Sequence, residues 1–302
     1  MLHGDVHWDD TRRVRRKLYP AMLTPLGDGG ERLDEAAFRP MIDFLLGRGA
    51  DGVFIFGTTG EGINLDLHER RRALRLAKEA LDGRGDLLVH CGAQTTRDTV
   101  TLAAGAAAEG VDGVVVIPPP YYPLTDRELA EHLLAAAHAC APTAFYIYAL
   151  SDRSGYPVPV PVVERVRERA ANLAGLKVSE TPFDRVQPYL ALGLSIFVGN
   201  EPLIAQAAAA AEISGSVSAV ASAFPEAIRG LLDDPTPERA AAVAELRAAI
   251  SREPLIPTAK ALLGRRGVPI NPDVRAPLLP LTPEQAEAAM ERANGLLAST
   301  AS

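Results

Sequence analysis

The sequence predicts a TIM (β/α)8 barrel, an α/β fold, with a C-terminal helical extension. Short, continuously apolar runs alternate with longer amphipathic stretches, which is typical of parallel strands covered by helices on both faces. Eight such βα units, at about 25 to 30 residues each, reach the size of this barrel. An open doubly wound sheet is the competing fold, but no Gly-x-Gly-x-x-Gly motif follows a strand, which weakens its dinucleotide-binding form.

Each predicted strand is a continuous apolar run rather than an alternation of apolar and polar residues. The strands are expected at residues 19–24, 52–57, 86–92, 113–118, 143–148, 174–179, 195–199 and 214–220. We expect the first helix to begin after Asp34 as its N-cap, and the second helix has an apolar side that includes Leu74 and Leu81. Helices are also expected at residues 96–110, 125–140, 160–171, 183–192 and 201–212.

After Ala221 the pattern changes to helices separated by prolines. We therefore expect an N-terminal extension at residues 1–18, the barrel at residues 19–223 and a helical extension at residues 224–302 that packs on the barrel. Lys260, in this extension, is expected to be structural. Arg70 to Arg72 are expected on a solvated face of the second helix.

The composition excludes several classes of protein. The 302 residues are 47% hydrophobic and 23% charged, with a net charge of -7, so the chain is globular and lacks the basic excess of a nucleic-acid binder. No signal peptide and no apolar run of ~20 residues is present, so we expect a cytoplasmic protein that binds neither nucleic acid nor membrane. Two cysteines are too few for a disulfide framework.

Lys177 is the first candidate site residue, because it lies inside the apolar run at residues 174–179. Only four of the 31 basic residues are lysines, so this chain uses arginine wherever any positive charge would serve. A desolvated lysine, unlike arginine, can lose its proton and act as a neutral nucleophile that forms a Schiff base with a carbonyl substrate. The alternative is a structural lysine that forms a salt bridge with Glu180 or another acid.

Other candidates lie at the carboxyl ends of strands, where barrel active sites are found. The Gly-Thr-Thr-Gly-Glu turn at residues 57–61 offers two hydroxyls and several backbone N–H groups that could bind a small carboxylate. The alternative is a strand-to-helix turn in which threonine acts only as a cap. Tyr122 and Tyr148 are candidates for proton transfer, or ordinary packed aromatics. Arg153 could clamp a second carboxylate or lie in solvent. Gly199 and Val217 are also assigned to substrate binding.

The sequence contains no motif that indicates a metal site or a serine hydrolase. The six histidines are scattered, and only His3 and His7 are four residues apart, in a charged terminal segment. No Gly-x-Ser-x-Gly elbow is present. We therefore expect no metal site and no separate cofactor.

In these residues the chain resembles the dihydrodipicolinate synthase / N-acetylneuraminate lyase family of pyruvate-dependent class I aldolases. Four motifs fall in family order at family spacing: residues 57–61, Pro-Pro-Tyr-Tyr at 119–122, the segment 148–155, and Gly-Leu-Lys at 175–177. The resemblance covers nearly the whole chain, from residue 19 into the helical tail.

The resemblance implies a function for each candidate. Lys177 would form the Schiff base with pyruvate or another 2-keto acid, and Thr59 would bind the substrate carboxylate. Tyr148 would be the general acid and base, relaying protons through Thr58 and through Tyr122 of a neighbouring subunit. The family usually forms homotetramers built from tight dimers, and its partners are small keto acids and aldehydes.

Departures from the family leave the second substrate open. Arg153 stands where the synthase branch places its arginine for the aldehyde's carboxylate, which favours 4-hydroxy-tetrahydrodipicolinate synthase. However, the Asn-x-Pro segment after Tyr148 is replaced by Ala-Leu-Ser, and no acid follows Lys177 directly. We therefore favour an aldolase or dehydratase for a 2-keto-3-deoxy acid. A keto-acid-binding barrel without turnover and a metal-dependent barrel enzyme are further alternatives.

Overall fold

Eight parallel strands form a barrel at the centre of the molecule, a computed structural model that describes residues 15–300 and the side chains of residues 15–295. The barrel strands are β1 (Lys17–Pro20), β4 (Gly52–Ile55), β5 (Asp86–His90), β6 (Gly113–Val116), β7 (Ala144–Ala149), β8 (Leu173–Val178), β9 (Ser195–Val198) and β10 (Gly215–Ser218). A short hairpin, β2 (Leu26–Gly27) with β3 (Arg32–Leu33), follows β1 and is absent from the sequence prediction.

The strands pair in chain order from β4 to β10, and β10 pairs with β1. The ring is completed by a parallel bridge between Ala21 and Phe54, where the Met22 N–H donates to the Phe54 carbonyl at 2.9 Å. The TIM barrel predicted from the sequence is thus confirmed.

Helices surround the barrel and form the region after it. They are α1 (Phe38–Leu46), α2 (Leu67–Leu81), α3 (Thr96–Ala108), α4 (Asp126–Cys140), α5 (Ser151–Ser154), α6 (Val160–Arg169), α7 (Gln187–Leu190), α8 (Ile204–Ala210), α9 (Pro225–Asp233), α10 (Pro237–Ile250), α11 (Leu255–Arg265) and α12 (Pro283–Thr300). None of the helices in the described part of the chain is long and apolar enough to cross a membrane.

Helix starts follow local sequence signals in some places and not in others. Asp66 and Thr125 each form a capping box with the glutamate three residues later, at the starts of α2 and α4. The expectation that Asp34 caps the first helix is wrong. Its side chain caps no helix and instead accepts a hydrogen bond from Asn271 at 3.0 Å, so a tertiary contact replaces the local one.

Two apolar cores result from the alternation of side chains along each strand. Residues such as Val53 and Ile55 face the surrounding helices, while Phe54 between them faces the barrel interior. The interior cluster consists of Tyr19, Ala21, Phe54, Leu88, Val115, Tyr148, Phe197 and Val217.

The expectation that Arg70 lies on a solvated face is wrong. Its side chain is buried between α2 and the barrel, where it donates to the carbonyls of His90 and Gly92. Burial lowers the pKa of this guanidinium to about 10, and two carbonyl acceptors replace the water lost from its terminal nitrogens.

The helices after β10 pack on one another and on the barrel. α12 contacts both α10 and α11, and α9 contacts β1. Arg229 on α9 donates to the Arg16 carbonyl at 2.9 Å and forms an ion pair with Asp51 at 3.3 Å. Most of the expected N-terminal extension, including His3 and His7, lies outside the described residues.

Candidate active site

The Lys177 amine lies inside the barrel, near the carboxyl end of β8. The side chain is 5% exposed, and its Nζ is 4.0 Å from the Tyr148 ring centroid and 4.3 Å from the Phe54 ring centroid. Tyr148 is the direct neighbour of Lys177 in the β7–β8 register. Lys177 therefore stands against two aromatic faces in a site with little access to water.

No carboxylate forms an ion pair with Lys177 in the part of the chain whose side chains are described. Glu180 is the acid that the sequence suggests as a salt-bridge partner of Lys177. Its carboxylate instead accepts hydrogen bonds from Ser151 N at 2.8 Å and from Ser151 Oγ at 2.6 Å. It thereby anchors the first residue of α5 instead of neutralising the amine. The salt-bridge alternative with Glu180 is therefore wrong.

Burial lowers the pKa of Lys177 below its ordinary value, because a desolvated ammonium is disfavoured. The Tyr148 hydroxyl and the Glu201 carboxylate act in the opposite direction and raise this pKa, but the effect of burial is larger. A larger share of the amine is therefore neutral at a given pH. Such an amine can attack a carbonyl carbon.

Two glycines, Gly175 in β8 and Gly199 just after β9, lie near Lys177. A Cβ on Gly199 would overlap Ser179 Oγ and lie 3.4 Å from Lys177 Cε. A Cβ on Gly175 would overlap the Ser195 carbonyl of β9, so β8 and β9 approach closely two residues before Lys177 on β8. Gly199, predicted to bind substrate, thus lies directly beside the lysine.

The turn at residues 57–61 follows β4, and the Phe54 ring of β4 lies between this turn and Lys177. A Cβ on Gly57 would overlap the Phe54 ring, which itself contacts the amine. Thr59 is buried and Thr58 exposed, and neither caps a helix, since Asp66 caps α2. Among residues 15–295 the structure shows no hydrogen-bond partner for either hydroxyl, which leaves both available to a ligand.

Tyr122 and Arg153 lie at the surface and do not contact Lys177 in the single chain. Tyr122 is 69% exposed and Tyr121 is 81% exposed, and their rings pack edge to face at 4.7 Å. Tyr121 has a φ of 87°, an unusual conformation for a bulky residue. Arg153 lies on α5 and is exposed. Val217, in contrast, belongs to the interior cluster with Phe54.

His90 lies in the candidate site beside Tyr148, and the sequence analysis did not select it. Its ring is 6.3 Å from the Tyr148 ring, centroid to centroid, and its Nδ1 is 3.0 Å from the Phe56 carbonyl. Burial, and then the charges of Arg70 and Lys177, hold its pKa well below the ordinary value. His90 is therefore neutral, with Nδ1–H donating to Phe56. His90 lies two residues after Leu88 on the same strand, so the alternation of side chains along β5 predicts that both face the barrel interior. This alternation is the sequence signal that indicates His90.

Glu201, just after β9, is the second residue that was missed. Its buried carboxylate accepts from Ser218 Oγ at 2.8 Å and from Ala219 N at 2.9 Å, and it forms an ion pair with Arg247. These contacts hold the segment that follows Val217. Within residues 15–295 the structure contains no group of three or more His, Cys, Asp or Glu side chains arranged for a metal ion.

Comparisons with known proteins identify the family of this chain. A model of the Dihydrodipicolinate synthetase family matches residues 15–294. The chain belongs to this family. It is 34% identical to an uncharacterized DapA-like lyase of Halobacterium salinarum, with 86% of each chain covered. It is 32% identical to a 4-hydroxy-tetrahydrodipicolinate synthase of Nitrobacter hamburgensis, with 89% of this chain and 92% of that protein covered.

Solved structures share the architecture. A sialic acid aldolase of Ruminococcus gnavus superimposes with a TM-score of 0.87 at 22% identity, covering 95% of this chain and 98% of that one, which shows the fold alone. The 4-hydroxy-tetrahydrodipicolinate synthase of Methylacidiphilum fumariolicum superimposes with a TM-score of 0.84 at 25% identity, covering 94% and 97%. The family and the lyase class predicted from the sequence are confirmed.

Proposed function

We propose that this chain is a class I aldolase or lyase that joins pyruvate, or another 2-keto acid, to Lys177 as a Schiff base. The observation that carries the proposal is the buried Lys177 amine, which has no carboxylate partner within residues 15–295 and lies against the Tyr148 ring at 4.0 Å. Burial favours the neutral amine, and no cofactor is needed because the imine itself withdraws electrons from the substrate.

The steps follow from general imine chemistry. The Lys177 nitrogen attacks the keto carbon, water leaves, and a protonated imine forms. The carbon next to the imine then loses a proton to give an enamine. This carbon attacks an aldehyde, and water finally cleaves the carbon–nitrogen bond. The reverse sequence breaks the same carbon–carbon bond. Tyr148 moves these protons, with Thr58 and Tyr122 as its relay, since phenolic and alcoholic hydroxyls both donate and accept.

Thr59 binds the keto acid's carboxylate in this scheme, while Gly199 and Val217 form the wall beside the lysine. Tyr122 serves the relay from a second copy of the chain, because it is exposed and away from Lys177 in its own chain. The functional unit we propose is therefore at least a homodimer, and a homotetramer by analogy with the family. The proposed ligands are small keto acids and aldehydes.

For the second substrate we propose a 2-keto-3-deoxy acid, cleaved or dehydrated. The residues after Tyr148 support this, because neither offers an amide for hydrogen bonds: Leu150 packs as an apolar side chain against the interior cluster, and Ala149 joins the core between the strands and the surrounding helices. A second candidate is 4-hydroxy-tetrahydrodipicolinate synthase, which the exposed guanidinium of Arg153 favours. That arginine is free to clamp an aldehyde that carries a carboxylate.

Trapping with borohydride tests the Schiff base directly. We expect pyruvate and borohydride together to add the mass of a reduced pyruvate adduct to the peptide that contains Lys177. Each reagent alone is the control, as is the peptide that contains Lys78. An unmodified Lys177 peptide at saturating pyruvate would contradict the proposed function.

Replacing Arg153 separates the two candidate substrates. If an aldehyde carboxylate binds this guanidinium, Arg153→Ala should reduce kcat/KM for a carboxylated aldehyde about 10- to 100-fold, the cost of a lost charge-assisted bidentate contact. Turnover of an uncharged aldehyde should be unchanged, and Arg127→Ala, at an exposed position on α4, is the matched control. Equal turnover of the carboxylated aldehyde by Arg153→Ala would remove this arginine from substrate recognition.

A further inference from the structure

A buried ion pair joins the turn at residues 57–61 to the helical region after the barrel. Glu61 Oε1 and Lys260 Nζ are 2.7 Å apart, and both side chains are fully buried. Lys260 lies on α11, far along the chain from the turn. Oε1 has no other hydrogen-bond partner among the described residues. A buried carboxylate without a counter-charge is costly, so this oxygen depends on Lys260.

The same region holds the other oxygen and the amine in place. The Arg275 N–H donates to Glu61 Oε2 at 2.7 Å, and Lys260 Nζ donates to the Asp273 carbonyl at 2.5 Å. The Arg275 guanidinium binds both oxygens of Glu69, at 2.6 and 3.1 Å, at the start of α2. We name the group formed by Glu61, Lys260, Asp273 and Arg275 the C-terminal clamp.

The clamp acts on a turn that the backbone alone would not favour. Phe56 and Glu61 have positive φ values, 62° and 54°, which are uncommon in residues other than glycine. A Cβ on Gly62 would overlap the Phe56 carbonyl, so the chain folds tightly back on itself. Strained backbone of this kind persists only where surrounding contacts hold it. The clamp supplies such contacts two residues after Thr59.

We propose that Lys260 is a positioning residue that, through Glu61, holds Thr59 where it binds the carboxylate of the keto acid. The inference rests on the proposed function, because Thr59 is the carboxylate-binding residue only in that scheme. It gives the helical region after the barrel a part in substrate recognition, although none of the residues described there forms an ion pair or a cation–π contact with Lys177. An error of position in such a contact reduces binding even when every group is still present.

The test compares two ketones, one with a charged carboxylate and one with a neutral ester in its place. Pyruvate carries a carboxylate, while methyl pyruvate presents the same ketone beside a neutral ester. For Lys260→Met we expect the pyruvate concentration that gives half-maximal borohydride trapping to rise at least about tenfold. The value for methyl pyruvate should remain within about twofold of wild type, because the ester gains little from the carboxylate site.

A second variant covers the possibility that Lys260→Met leaves Glu61 charged and impairs folding. The double substitution Glu61→Gln with Lys260→Met leaves no unpaired charge but still lacks the ion pair between these two positions. It should therefore fold and show the same selective rise in the half-maximal concentration of pyruvate. Glu61→Gln alone keeps an acceptor for Lys260 and should show a smaller loss. Lys78→Met, on α2 and outside the clamp, should match wild type.

The outcomes distinguish this inference from the proposed function. Wild-type trapping with unchanged half-saturation in the double variant would overturn the inference alone. So would an equal loss for pyruvate and methyl pyruvate, which would show that the clamp serves only stability. Absence of an adduct on wild-type Lys177 would overturn the proposed function, and the inference with it.

Discussion

Lys177→Met is expected to reduce carbon–carbon bond cleavage or formation by about 10⁴-fold or more, the size of loss seen when a covalent nucleophile is removed. Methionine has a similar length and no amine, so no imine can form. Because the cost of burying an ammonium disappears, we expect the thermal midpoint of unfolding to be equal to or higher than that of wild type. Steady-state turnover and a thermal melt measure the two effects.

Two variants serve as controls for this loss. Lys177→Arg keeps a positive charge but cannot shed its proton, so it should be as inactive as Lys177→Met. Lys17→Met, at the amino end of β1 where Lys17 pairs with Asp86 at 3.2 Å, should keep wild-type turnover. Substantial activity in Lys177→Arg would show that a positive charge, rather than a covalent nucleophile, is what the reaction needs.

Tyr148→Phe is expected to lower kcat by about 10²- to 10⁴-fold, the usual contribution of a positioned general acid or base. The ring remains against Lys177, so the lysine stays buried and the apolar packing is retained. Prolonged incubation with pyruvate and borohydride should still label Lys177. Turnover should therefore fall much further than the final extent of trapping.

Tyr146→Phe is the matched control for this substitution. Tyr146 lies two residues earlier on β7, faces the same interior, and packs against Phe197 at 5.9 Å between ring centroids. Burial raises its pKa, as expected for a phenol that stays protonated. Removal of the Tyr146 hydroxyl should change kcat by no more than about threefold. A similar fall in both variants would indicate that packing, and not the Tyr148 hydroxyl, supports the rate.

The strands and the residues that face the barrel interior could be predicted because both depend on local patterns. All eight expected strands are present, each within a few residues of its expected bounds. Tyr148, Lys177, Gly199 and Val217 could be proposed as site residues because they lie at or near the carboxyl ends of these strands. The short hairpin after β1 was missed, since two-residue strands leave no apolar run to detect.

Ionic partners could not be predicted in the same way. Glu180 is close to Lys177 in sequence, yet its carboxylate turns to Ser151, while Glu61 pairs with Lys260 from the far end of the chain. Arg70 resembles its solvated neighbours in an arginine run and is nevertheless buried against two carbonyls. Local charge patterns do not show which residues lose their water when the helices pack.

The amino-acid sequence alone determined the barrel, the family and the lysine that could act as a nucleophile, because alternation along a strand and a rare residue in an apolar run are local properties. Only the tertiary structure decided that Lys177 has two aromatic rings beside it and, in the described part of the chain, no carboxylate in an ion pair, and that Glu61 is held by Lys260. The physical reason is desolvation, which depends on how distant segments close around a group and sets both its charge and its partner.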